Sequence, residues 1–228
     1  MRSALTFPVV LLALYASQTV AVRGEACIAD QRGGLVCGAG KDALRVFANT
    51  TSPSKNYAFA WRTPQGLPSG DDTPNNVENV LIRVTDGAVL ATLGGTYWET
   101  GERRANRYEL IAAWSPDSQA VIEVANSRWD SDSFAYYRID GATATKLDLR
   151  ALVEPVMTAR LPPRNRQGNS FRVHEDLPVT LDARGRVRFT AMLYAPKDET
   201  SNDYRVQVNV RARGGKLSAQ VVSMQRVR

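Results

Sequence analysis

WSPDSQAVIEVANSRWDSDSFAYYRIDG, residues 114–141, holds a tight turn, an apolar strand, a polar bend, a second strand and a closing Asp-Gly pair. Pro116 presets its own φ, and Asp117 and Ser118 can bond their own backbone, so Ser115 to Gln119 reads as the turn that starts a strand. The run AVIEVA (120–125) follows as that strand. Two other segments repeat the plan. Ser52-Pro53-Ser54-Lys55-Asn56 leads into YAFAW (57–61), and Leu181-Asp182-Ala183-Arg184-Gly185 leads into VRFTAML (187–193). Pro53 lies 63 residues before Pro116, and Pro116 lies 67 before Ala183, a spacing that predicts one unit used three times.

The second arms agree. VLIRVTDGAVLATL (80–93), YYRIDGATATKLDL (136–149) and VQVNVRARGGKLSAQV (206–221) each centre on a glycine. Asp86-Gly87, Asp140-Gly141 and Gly214-Gly215 are dipeptides favoured in two-residue hairpins, where both positions accept positive φ. With Gly214-Gly215 as the turn, Ala212 faces Leu217, Val210 faces Ala219 and Val208 faces Val221 on an apolar side. Arg213 with Lys216, Arg211 with Ser218 and Asn209 with Gln220 share a wet side. YAFAW has no polar face, which predicts a central strand covered on both sides. The best helical candidate lies near 148–160, with Asp148 as N-cap and Pro155 limiting its length. The expected fold is all-β, with three blade-like antiparallel meanders near residues 43–95, 108–150 and 172–228. They form a single domain over 27–228, packed as a partial propeller or a sandwich.

The Trp114-Ser115-Pro116-Asp117-Ser118-Gln119 turn, the strand after it, the Asn126-Ser127-Arg128 bend and the closing FAYYRIDG (134–141) resemble the WD40-like repeats of TolB-type β-propellers. The likeness covers about one blade, and the third segment lacks the Ser-Pro pair. It implies a periplasmic interaction surface and transfers no binding residue. Propellers close with roughly four to eight blades, so three units predict an open arrangement.

Residues 1–26 have the order of a secretory signal: Arg2, an apolar run over 5–16, then small residues that place cleavage after Ala21 or Ala26. The run is shorter than the roughly 20 residues of a membrane span, and Pro8 interrupts it. Lipoprotein signals carry a Leu-like residue three before the Cys, whereas Gly24-Glu25-Ala26-Cys27 has a glycine there and a charge inside the tetrad, which argues against a lipid anchor. Export predicts a periplasmic or secreted location and a disulfide between the two cysteines, Cys27 and Cys37, as a staple for an N-terminal arm.

The formal charge of +6 is unevenly placed: residues 1–140 carry 13 Lys+Arg against 15 Asp+Glu, and residues 141–228 carry 16 against 8. Arg184, Arg186 and Arg188 alternate on one strand, and Arg205, Arg211 and Arg213 on another, which makes a basic face a candidate site for an anion or a partner. The ordinary role of exposed strand charges is to keep sheet edges from pairing. No catalytic set is predicted. The single histidine, His174, has no nucleophile turn to pair with. It also rules out a multi-histidine zinc site. The acidic loops Asp71-Asp72 and Asp130-Ser131-Asp132-Ser133 lack the pattern of a calcium loop. The paired glycines Gly33-Gly34, Gly94-Gly95 and Gly214-Gly215 read as turns, and the Tyr97 to Arg107 stretch as a polar loop with exposed rings.

No cofactor, nucleic acid or membrane span is expected. The function expected is a non-enzymatic periplasmic module that docks a protein or envelope partner. The alternatives are a hydrolase acting on an envelope polymer through Glu99, Glu102, Asp130 and Asp132, and an anion-binding protein using the arginine-rich C-terminal face.

Overall fold

A computed structural model describes residues 25–30, 34–68, 74–100, 103–105, 108–195 and 200–227. Residues 1–24 of the expected signal segment 1–26, Asp71-Asp72 and Glu102 lie outside these residues. The chain forms three antiparallel meanders in sequence order. The first sheet runs β1 (Cys27–Ala29), β2 (Leu35–Cys37), β3 (Leu44–Val46), β4 (Tyr57–Arg62), β5 (Glu78–Arg83) and β6 (Ala88–Thr92), each beside the next. A small hairpin, β7 (Glu99–Thr100) with β8 (Arg103–Arg104), precedes the second sheet. That sheet consists of β9 (Glu109–Trp114), β10 (Ala120–Asn126), β11 (Ser131–Asp140) and β12 (Thr143–Asp148). After α1 (Arg150–Thr158), the third sheet takes β13 (Ser170–Val173), β14 (Thr180–Leu181), β15 (Arg186–Ala195), β16 (Thr200–Arg213) and β17 (Lys216–Arg226) in the order β13-β15-β16-β17, with β14 also on β15. The fold is all-β with one short helix, as expected.

The sheets stack face to face. Phe59, Trp61 and Leu81 of the first sheet pack with Val121, Ala135, Tyr137 and Ile139 of the second. The second sheet's other face, through Ile122, Val124, Phe134 and Tyr136, packs with Val187, Phe189, Ala191, Val206 and Val208 of the third. Because β10 belongs to both interfaces, all seven of its residues are buried. Helix α1 lays Val153 and Met157 into the second interface. Asp148 Oδ1 accepts the Ala151 N–H at 2.9 Å, so the expected cap forms, and the helix continues past Pro155 to Thr158.

Strand β4 is covered on both sides, as its lack of a polar face predicts: Ala58, Phe59, Ala60 and Trp61 are each 0% exposed. The cover on the alanine side comes from the N-terminal arm. Cys27, Leu35 and Cys37 pack with Ala58, Ala60, Val80 and Ile82, and Cys27 N–H donates to Val84 O at 3.2 Å. Cys27 and Cys37 face each other across β1 and β2 and are joined as a disulfide. The staple therefore closes a lid over the first sheet's outer face.

The three entry turns share one hydrogen-bond plan. Lys55 N–H bonds Ser52 O at 2.9 Å, Ser118 N–H bonds Ser115 O at 2.9 Å, and Gly185 N–H bonds Asp182 O at 3.0 Å. Lys55, Ser118 and Gly185 all sit at positive φ. A side-chain oxygen at the first position then takes the N–H that opens each strand: Ser52 Oγ from Tyr57, Ser115 Oγ from Ala120, Asp182 Oδ1 from Arg186. Aspartate in the third turn supplies the acceptor that serine supplies in the others. The first two turns also touch, since Ser54 N–H donates to Ser118 Oγ at 3.0 Å and the Trp114 indole donates to Thr50 O at 2.8 Å.

The hairpin tips depart from expectation in two units. The last hairpin has the predicted register, with Arg213 opposite Lys216 and Val208 opposite Val221. The first is closed by four residues, because Arg83 pairs with Ala88, and Asp86 ties the loop by bonding the Arg83 guanidinium and the Ala88 N–H. In the second, Asp140 pairs with Thr143, so Gly141 and Ala142 make the turn.

Reducing the Cys27–Cys37 bond, or replacing both cysteines by alanine, should lower stability by up to about 3 kcal/mol in denaturant unfolding and raise binding of a hydrophobic dye. The entry turns predict a pH dependence. The hydroxyl of Ser115 and the N–H of Gln119 hold Asp117 below its ordinary pKa of 3.8, and the N–H groups of Arg186 and Arg184 do the same for Asp182. A lowered carboxyl stabilises the fold above its unfolded value, and that contribution is lost as pH falls through the folded one. Acid titration of Asp117→Asn with Asp182→Asn should show a shallower loss of stability below about pH 4 than the native chain.

Candidate functional site

Strands β15 and β16 pair with Arg186 opposite Asn209, Arg188 opposite Gln207 and Thr190 opposite Arg205. Paired residues of an antiparallel ladder point to the same side, so the two arginine rows merge on one face. That face is the outer surface of the third sheet, opposite the side that carries Val187, Phe189, Val206 and Val208 into the core. Strand β17 extends it: Ser223 lies opposite Gln207, Gln225 opposite Arg205, Gln220 opposite Asn209 and Ser218 opposite Arg211. Arg188, Arg205, Arg211 and Arg213 are exposed, and Arg184 is exposed in the entry turn.

Five arginines elsewhere are matched by carboxylates. Arg45 pairs with Asp30 at 2.6 Å, Arg62 with Glu78 at 2.7 Å and Arg83 with Asp86 at 2.6 Å. Arg150 binds Asp130 and Glu154, each at 2.9 Å. Arg172 is largely buried and binds Glu175 at 2.9 Å and Glu109 at 3.2 Å. Burial would raise Glu175, but the Arg172 guanidinium holds it below its ordinary value. Glu109 is pushed up by burial and by the Glu175 charge. On the third sheet's face Arg186 reaches Asp182 at 3.9 Å, whereas Arg184, Arg188, Arg205, Arg211 and Arg213 have no carboxylate within ion-pair distance among the described residues. The neighbouring Asp203 is already engaged, by the Ser201 hydroxyl at 2.5 Å and by His174 Nε2 at 3.5 Å.

The other candidate chemistry is dispersed. His174 reaches across β15 to Asp203 of β16, at 3.5 Å, and not to the carboxylates beside it in sequence. Glu99 accepts the Ala48 N–H, Asp130 accepts the Phe171 N–H and pairs with Arg150, and Asp132 accepts the Ser127 hydroxyl. No group of three or more metal-ligating side chains occurs among the described residues. Tyr97, expected in a loop with exposed rings, is 8% exposed and packs on Phe47, because its backbone is gripped by Asn79. The exposed ring is Trp129, stacked on Tyr194 with Arg128 over it.

Composition and spacing give no warning of the polar groups that join the units. Glu123 is fully buried in β10: Oε1 accepts the N–H groups of Gly94 at 2.8 Å and Gly95 at 3.1 Å, and Oε2 accepts the hydroxyls of Ser133 and Tyr137, each at 2.9 Å. Gly94-Gly95, expected as a simple turn, is therefore a cradle for an internal carboxylate. A Cβ on Gly94 would meet Ser133 Oγ at 2.4 Å, and one on Gly95 would meet the Ala125 Cβ at 2.6 Å. Burial, with the Glu123 charge adding to it, raises the Tyr137 phenol far above its ordinary value and keeps it a donor. On the other side of β10, Asn126 Nδ2 donates to Val173 O at 2.9 Å while Ser131 Oγ accepts the Val173 N–H at 2.9 Å. Asn79 holds both backbone groups of Tyr97 in the same way, donating to its carbonyl at 2.6 Å and accepting its N–H at 2.8 Å.

No protein-family model matches the chain, and the search of curated proteins finds no match.

Glu123→Ala would take the acceptor from four donors, of which the Gly95 N–H and the Ser133 hydroxyl are buried, and should cost at least about 3 kcal/mol in denaturant unfolding. Gly95→Ala should cost about 1–3 kcal/mol by overpacking against Ala125.

Proposed function

We propose that the protein is an exported, non-catalytic binding module that docks an anionic partner of the cell envelope on the outer face of its third sheet. One observation carries this reading: Arg184, Arg188, Arg205, Arg211 and Arg213, gathered on one face, lack carboxylate partners among the described residues, whereas Arg45, Arg62, Arg83 and Arg172 on other strands each pair with one. Edge protection does not account for Arg188 and Arg205, because each stands where its strand is paired on both sides. A positive face of this kind attracts anions over a distance comparable with the Debye length, about 8 Å at physiological salt.

The disulfide supports a working place outside the reducing cytoplasm. The signal-like residues 1–26 and the likeness of residues 114–141 to WD40-like repeats support the same location and an interaction role. The exposed side chains of the face are polar and donor-rich, which suits reversible docking in water.

The test is capture from envelope extract by the immobilised full chain under gentle crosslinking, beside the variant Arg188→Glu/Arg205→Glu/Arg211→Glu. The expected result is a captured component that falls at least about ten-fold with the variant and weakens as salt rises. Capture that is equal for both chains, or absent, would sink the proposal.

A further inference from the structure

From the docking face, on which this step rests, we infer that a phosphoryl group is the anion recognised and that it binds between Arg188 and Arg205. The register sets six side chains in two rungs of three: Arg188, Gln207 and Ser223, then Thr190, Arg205 and Gln225. The two arginines occupy a diagonal, one on each rung and on adjoining strands. Between them the surface dips into a depression of about 240 Å³ lined by these six residues together with Phe189 and Val206.

Arg188 Nε donates to Gln207 Oε1 at 3.2 Å, which orients the guanidinium and takes up that acceptor, so the Gln207 amide offers its N–H groups. The depression is thus rich in donors: two guanidinium forks, two amides and two hydroxyls, with no carboxylate among its lining residues. A planar carboxylate is satisfied by a single fork. Two forks on a diagonal, with amide and hydroxyl donors between them, match a tetrahedral anion with three or four oxygens. Arg186, Arg211 and Arg213 continue along the same face toward the hairpin tip, so a polymer carrying repeated phosphoryl groups would meet further cations beyond the first site.

The experiment measures binding of inorganic polyphosphate, phosphatidylglycerol vesicles and poly-glutamate to the full chain by titration calorimetry. The native chain is set beside Arg188→Gln/Arg205→Gln and, as a control at an exposed loop arginine, Arg164→Gln. A circular dichroism spectrum unchanged from native confirms that each variant is folded. Binding of polyphosphate or of the vesicles that falls at least about ten-fold in the double variant and not in the control supports the site, since removing one guanidinium fork from a phosphoryl group weakens binding by about a factor of ten. Polyphosphate binding alone identifies a soluble source, and vesicle binding alone a lipid headgroup. Poly-glutamate binding as tightly as polyphosphate, or a double variant that binds phosphoryl ligands like the native chain, overturns it. Envelope capture that still depends on Arg211 after such a result leaves the docking face standing without the phosphoryl site.

Discussion

A carboxylate with no exposure to water must be answered by donors, and the stack of sheets is organised around that demand at Glu123. Strand β10 is sandwiched between two apolar interfaces, and its two polar side chains face opposite ways. Glu123 reaches the chain leaving the first sheet at Gly94 and Gly95, and Asn126 reaches the first strand of the third sheet at Val173. The bonds to Gly95 and Val173 satisfy backbone groups that burial would otherwise strand. Apolar packing alone would let neighbouring sheets slide, because it has no direction. These polar clasps set the offset of each sheet against the next, and with it the position of every residue on the outer faces.

The space for this arrangement comes from small residues. Ala112 and Ala135 lie opposite Glu123 on the flanking strands, and Ala125 sits against Gly95. Larger side chains there would force the glycine segment outward and open the first interface. The sulfur-linked arm does comparable work on the far side of the first sheet, where Ala58, Ala60, Val80 and Ile82 form a shallow apolar surface that β1 and β2 fill.

Much of the fold is legible in the sequence because alternation and turn chemistry are local. The covered strand at 57–61, the register of the last hairpin and the Asp148 cap can be read from neighbouring residues alone. The two other hairpin tips differ from expectation because Asp-Gly describes a preference: the Arg83–Asp86 bond goes with a four-residue loop, and the Asp140–Thr143 pairing moves a two-residue turn on by one position. The arginine rows are legible as alternation on separate strands. Their merger on one face depends on pairing between β15 and β16, and their lack of carboxylate partners depends on where acids from distant segments come to rest. Glu123 is hidden inside an apolar run: a lone glutamate in AVIEVA carries no local sign that four donors from elsewhere will converge on it.

The two ends of the stack are finished in different ways. The first sheet ends under a covalently closed flap, and the third ends in a hydrated, cationic surface that another apolar sheet could not wet. Repeat arrays need terminal units that refuse further neighbours, or they grow by association. A covalent flap at one end and a charged surface at the other each oppose the stacking of a further apolar sheet.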